Sequence, residues 1–179
     1  MKKISIIFLT TFFLFSCTKL DEELYSSIPG EIYPENEEQI ALMGNDSYGK
    51  LQNMADDGGW WFWAQEISGG DVVFPTRAGD WDDGGKWRVM YQHAWNNDVE
   101  GVNRMWSLFW EGITSCNQNL FIMSSWQVTP DLLKKFAELE VFMSFYYYLL
   151  MDNYGDVPYL TSFKDAPVNP YKNRRSAIF

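Results

Sequence analysis

The amino-acid sequence predicts a mainly α-helical domain that carries one long, loop-rich segment. Two apolar stripes point to the helices. Val102, Met105, Phe109, Ile113, Cys116 and Leu120 recur at intervals of 3, 4, 4, 3 and 4. Leu132, Phe136, Leu139, Met143, Tyr146 and Leu150 recur at 4, 3, 4, 3 and 4. Such intervals place each set on one face of a helix. The third observation is a run of paired glycines and acids from 55 to 90, which breaks both helix and strand patterns.

In chain order, Lys2 and Lys3 form a short basic head, and Ile4 to Phe15 is an apolar run of twelve residues. That run suits a secretory leader and falls short of the ~20 residues a spanning helix requires. Leu14-Phe15-Ser16-Cys17 follows: an aliphatic residue, a spacer, a small residue and a cysteine. It resembles a bacterial lipobox, which makes residues 1–16 a lipoprotein signal peptide and Cys17 the lipidation site. Two acyl chains, at ~0.8 kcal/mol per buried methylene, are enough for stable anchoring. Residues 17–33 read as a lipidated acidic tether: Lys19-Leu20-Asp21-Glu22-Glu23 opens it and Pro29-Gly30 marks a turn near its end.

The helical domain then occupies 34–179. Its first helix starts at Asn36 as N-cap, with Gln39 reaching back and Glu37 and Glu38 favourable to the positive helix end. Ile40, Met43, Ser47 and Leu51 share one face, and Gly44 and Gly49 interrupt it with weak helix formers. The loop-rich segment contains Trp60, Trp61, Phe62, Trp63, Phe74, Trp81 and Trp87. Loops this long are uncommon, and ordered ones are usually functional. Of the two long helices, the second opens with Thr129 as N-cap and Pro130 at the first helical position, where its missing N–H costs nothing. Gly155 stops it and Pro158 prevents resumption. Two helices of about 20 residues joined by a short turn predict an antiparallel αα-hairpin.

Composition narrows the function. Removing residues 1–16 takes Lys2 and Lys3 and no acids, leaving 12 basic against 24 acidic residues, a formal charge of −12. This balance disfavours nucleic acid and anionic lipid surfaces as partners, since both demand basic residues. With Cys17 acylated, only Cys116 remains, so no internal disulfide forms and packing must stabilise the domain. Aromatic residues make up 18% of the chain, and all nine tryptophans lie between Trp60 and Trp126. That is more than a core of this size needs, and exposed indoles are the usual platform for flat ligands.

Four segments carry a family resemblance. They are the lipobox with Leu20-Asp21; Gly70-Asp71 through Pro75 to Gly85, ending in His93-Ala94-Trp95; Trp106 to Leu120 with its Cys116-Asn117 pair; and Ala137-Glu138 through Tyr146-Tyr147-Tyr148, then Tyr154-Gly155-Asp156-Val157-Pro158. In this order the chain resembles the SusD/RagB outer-membrane lipoproteins of Bacteroidetes. The family usually has Arg-Ala where this chain has Met143-Ser144, so a polar contact of that arginine is lost or replaced. Family members also run to several hundred residues. Asn173 to Phe179 looks like the opening turn of a helix capped by Asn173, so the sequence is expected to be a truncated, amino-terminal portion of such a domain. The resemblance implies tetratricopeptide-like helix pairs with a loop-rich ligand face. It also implies a cell-surface lipoprotein, anchored in the outer membrane, that binds oligosaccharide and passes it to a SusC-type TonB-dependent transporter. It implies no catalysis, and no cofactor or metal is expected.

A pyranose ring offers C–H groups on one face and hydroxyls around its rim, so its binding needs a flat aromatic flanked by fixed donors and acceptors. Asp71, Arg77, Asp80, Trp81, Trp87 and Trp95 supply both kinds and are the expected ligand-binding residues. The competing reading makes Trp81 and Trp87 packing anchors that pin the loop. Trp106 and Trp110, at helical spacing, are expected in the core. Asp80-x-Asp82-Asp83-x-Gly85 lacks the rest of an EF-hand loop and reads as a turn with solvated carboxylates. His93, the sole histidine, is expected to cap or pack near a helix starting at Trp95, and Cys116 to be a small buried hydrophobe. Two rival functions remain: a structural lid or partner subunit of the transporter without its own ligand site, and a glycoside hydrolase using carboxylates such as Glu66 and Asp71. The hydrolase would need two carboxyl groups held at a defined separation.

Overall fold

A computed structural model of the chain describes residues 34–55, 60–80 and 82–179. The leader, Cys17 and the tether lie outside them. The described residues are mainly helical. In order they form α1 (Glu37–Met43), α2 (Asn45–Ala55), α3 (Trp60–Gly69), α4 (Lys86–Tyr91), α5 (Glu100–Met123) and α6 (Pro130–Tyr154). There follow the short strands β1 (Val157–Pro158) and β2 (Lys172–Asn173) and a final turn of helix, α7 (Arg175–Ile178). None of these helices is long and apolar enough to cross a membrane.

The two expected long helices form the centre, and the caps of the second are as read. Thr129 accepts the Leu132 N–H at 3.2 Å with Pro130 in the first turn. Gly155 ends α6 at a φ of 73°, a backbone state that favours glycine. The pair runs antiparallel: Tyr154 hydroxyl donates to the Val102 carbonyl, and the Trp110 ring lies 6.1 Å from that of Tyr147. Met105, Phe109, Ile113 and Cys116 from α5 meet Leu139, Tyr146 and Leu150 from α6 in the core. Gly112 sets how close the helices come, because a Cβ there would fall 2.4 Å from the Tyr146 ring.

Around this hairpin the polar side chains of α5 act as pins. Ser115 Oγ donates to Asp46 at 2.8 Å and lies 3.0 Å from Ser47 Oγ, while Asn119 donates to the Met43 carbonyl at 3.1 Å. From α6, Tyr146 hydroxyl donates to the Ser47 carbonyl at 2.9 Å. Ser47 is fully buried, so the bonds to its hydroxyl and carbonyl replace water that those groups have lost. Asn117 and Tyr147 both donate to the Leu160 carbonyl, at 2.9 and 2.8 Å, and fix the chain after the hairpin.

Four details depart from the sequence reading. Asn36 does cap the first helix, accepting the Gln39 N–H at 2.9 Å, but the helix divides at Gly44 into α1 and α2. The break falls at a glycine, a weak helix former, beside Lys135 and Leu139 of α6. The segment read as loop contains α3 and α4. In α3, Trp60, Trp63, Ala64 and Ile67 stand at i, i+3, i+4 and i+7 and face the core, so the paired glycines bracket a helix rather than exclude one. No helix starts at Trp95; α5 begins at Glu100, after Asn96 closes a turn onto the Asp98 N–H at 2.8 Å. Lastly, Asn173 does not cap the terminal turn. It pairs with Val157 in the two-residue ladder and accepts the Tyr159 N–H, while Asp156 reaches across to accept the Arg175 N–H at 2.9 Å.

Candidate functional site

The segment between α3 and α5 holds the expected ligand residues, and one carboxylate organises half of it. Asp83 Oδ1 accepts the Thr76 hydroxyl at 2.8 Å and the Gly85 N–H at 3.0 Å, and its Oδ2 accepts the Trp87 N–H at 3.3 Å. Burial pushes the carboxyl upward, but these hydrogen bonds outweigh it and hold Asp83 below its ordinary value. Asp83 thereby caps α4, whose own N-cap is Gly85 at a φ of 82° with no side chain to offer. It is a fixed turn acid, not the solvated one expected. Asp82 closes the same turn onto the Gly84 N–H at 2.9 Å.

Beneath this turn lies a layer of aromatic rings. Trp60 and Trp87 stack at 4.4 Å between centroids, Phe74 lies 5.5 Å from Trp87, and Trp63 meets Phe74 edge to face at 5.2 Å. The Lys86 ammonium sits 4.8 Å over Trp60 and 3.6 Å from Glu100. Trp87 is 9% exposed, so it is a packing anchor and not an open platform. The cause is local: α4 turns Trp87 and Met90, three residues apart, onto the face that meets the core.

The other expected residues are at the surface. Arg77 and Asp80 form an exposed ion pair at 3.8 Å. Asp71 is exposed just past α3, where its N–H and that of Val72 both donate to the Glu66 carbonyl. This link is through backbone, and no contact brings the carboxylates of Glu66 and Asp71 together. Trp95 is 43% exposed. Its ring lies 4.9 Å from that of His93, whose Nε2 is held 2.8 Å from the Ser68 carbonyl. His93 adopts a φ of 54°, in the left-handed region that His takes more readily than most side chains. Among the described residues, no hydrogen bond, ion pair or ring contact joins the Arg77–Asp80 pair to Trp95. Trp81 lies outside the described residues.

Sequence reasoning missed one feature elsewhere. Trp106 and Trp110 are not in the core but on its edge, partly buried, lining a groove between α2 and α5. The signal was available: each tryptophan is one residue beyond a stripe member, Met105 or Phe109, and is therefore turned ~100° from the stripe. Cys116 is the small buried hydrophobe expected; burial pushes its thiol up, which opposes reactivity. Among the described residues, no three His, Cys, Asp or Glu side chains gather as metal ligands would. Compared with protein-family models, with curated proteins and with solved structures, the chain finds no match in any of the three.

Proposed function

We propose that this chain is a surface lipoprotein that captures oligosaccharide and delivers it to a SusC-type TonB-dependent transporter without altering it. In this reading Cys17 carries the lipid that holds it to the outer membrane. The α5–α6 hairpin, with α2 against it, serves as a tetratricopeptide-like scaffold of the kind the SusD/RagB resemblance implies. The observation that carries the proposal is Trp95: a 43% exposed indole, braced by a histidine that is itself pinned to the end of α3. A half-exposed aromatic with a neighbouring ring to lean on suits stacking on a sugar face, because less rotamer freedom is lost on binding. Asp71 and the Arg77–Asp80 pair offer rim partners from the same segment. Trp87 supports the site from below and makes no contact with ligand in this scheme.

Affinity electrophoresis through polysaccharide-containing gels tests the proposal. Trp95→Ala is expected to lose at least about tenfold in affinity, or ~1.4 kcal/mol, with an unchanged circular dichroism spectrum. Trp87→Ala is expected to loosen the segment and lower the melting temperature. Unaltered retention in Trp95→Ala removes the loop site. Release of shorter sugars from the polysaccharide would instead make the protein a hydrolase, and co-purification with a barrel protein in the absence of any glycan affinity would make it a lid.

A further inference from the structure

The groove between α2 and α5 has a build that its place in the scaffold does not demand. Its volume is roughly 520 Å³, and its wall is formed by Trp106 and Trp110, whose rings lie 5.7 Å apart at 60°. Both indoles are braced from behind by α6: Trp106 meets Tyr154 edge to face at 5.0 Å, and Trp110 meets Tyr147 at 6.1 Å. The rim, shared by α2 and α5, is polar and carries one unbalanced carboxylate. Lys50 pairs with Glu111 at 3.2 Å, and Asp46 accepts the Ser115 hydroxyl at 2.8 Å. Gln118 and Thr114 add amide and hydroxyl groups along the same edge.

These properties select a ligand class. Two indoles set at an angle offer adjacent apolar panels rather than one flat slot, which suits puckered rings following one another more than a single planar base. Lysine is balanced by glutamate, and aspartate adds a further negative charge, so a polyanion gains nothing here and is repelled by the net charge. The ion pair and the Asp46–Ser115 bond hold donors and acceptors at fixed positions, ready for hydroxyl groups.

We propose that this groove is a second, neutral-oligosaccharide subsite on the helical scaffold, with Trp106 and Trp110 as its stacking wall and Lys50, Glu111 and Asp46 as its hydroxyl-binding rim. The inference rests on the oligosaccharide reading above but uses none of the loop residues. Two subsites on one chain would hold a polymer at two points and raise its apparent affinity without any new contact at either.

The test is fluorine NMR of the full chain in detergent, labelled with 5-fluorotryptophan. The Trp95, Trp106 and Trp110 resonances are identified by single Trp→Phe variants, and maltohexaose, cellohexaose, xylohexaose and mannohexaose are titrated in turn. Saturable shifts of the Trp106 and Trp110 resonances with at least one of these sugars are expected. The Lys50→Ala/Glu111→Gln double variant should weaken that response threefold or more while leaving the Trp95 response as it was. Shifts at Trp95 alone overturn the subsite and leave the loop site standing. Shifts at Trp106 and Trp110 alone support the subsite and remove the loop site. No shift at any of the three rejects both, and a groove response unaffected by the double variant overturns the rim assignment and with it the subsite.

Discussion

Gly112 is small because Tyr146 occupies the space a side chain would need. The ring cannot swing aside, since its hydroxyl is committed to the Ser47 carbonyl and the residue is wholly buried. Alanine would favour the helix by ~1 kcal/mol, yet a Cβ at 2.4 Å forces the helices apart. Gly112→Ala is therefore expected to destabilise by roughly 1–3 kcal/mol net, read as a lower urea midpoint at an unchanged slope. Tyr147 makes a different prediction. Burial pushes its phenol up to about 12, so the folded state keeps a proton that the unfolded chain gives up near pH ~10. The stability it contributes is whole below that pH and is lost as pH climbs towards 12. Tyr147→Phe should flatten the alkaline fall in melting temperature between pH 10 and 12, though only in part, because burial raises Tyr146 and Tyr154 as well. At this scale the sequence revealed types better than settings. Trp87 and Trp95 look equivalent as letters; only the turn of α4 and the His93 brace separate the anchor from the exposed ring.

Elements were legible where period and punctuation agreed. Both helices of the hairpin, their Thr129 and Gly155 ends and the Asn36 cap follow from apolar spacing and capping chemistry. The first helix was read without its break, since Gly44 and Gly49 are the same residue type and only one of them interrupts the helix. In α3 the signal was present at Trp60, Trp63, Ala64 and Ile67 but was masked by the glycine pairs on either side. The β1–β2 ladder was beyond reach, as two residues carry no alternation to detect. Its neighbour α7 takes its cap from Asp156, which lies 19 positions away and is invisible to local pattern. The α4 turn offers a test of such borrowed caps. Asp83→Asn keeps the shape and removes the charge, and the Gly85 and Trp87 amides are expected to exchange faster with deuterium. The wild-type contribution exists above the unfolded carboxyl value near ~3.9 and disappears as pH falls through the lowered folded value. The acid limb of the melting curve should thus be shallower in the variant.

For the molecule as a whole, the mainly α class was legible because two long stripes dominate it, whereas the exposure of Asp71, Arg77, Asp80 and Trp95 could be read only from the structure. The anchor is tested separately: radiolabelled palmitate is expected to enter the chain, and Cys17→Ala to move it from the detergent phase to the aqueous phase on Triton X-114 partition. Incorporation into the variant would place the lipid elsewhere. One bond joins distant parts of the chain. The carbonyl of Ser47 meets the Tyr146 hydroxyl across 99 positions of sequence. At ~5–20 residues per second of synthesis, roughly 5–20 s separate the appearance of the two partners at the ribosome. Ser115 and Asn119 of α5 reach the leading helices earlier in that interval, so the Tyr146 bond is the later of the two closures.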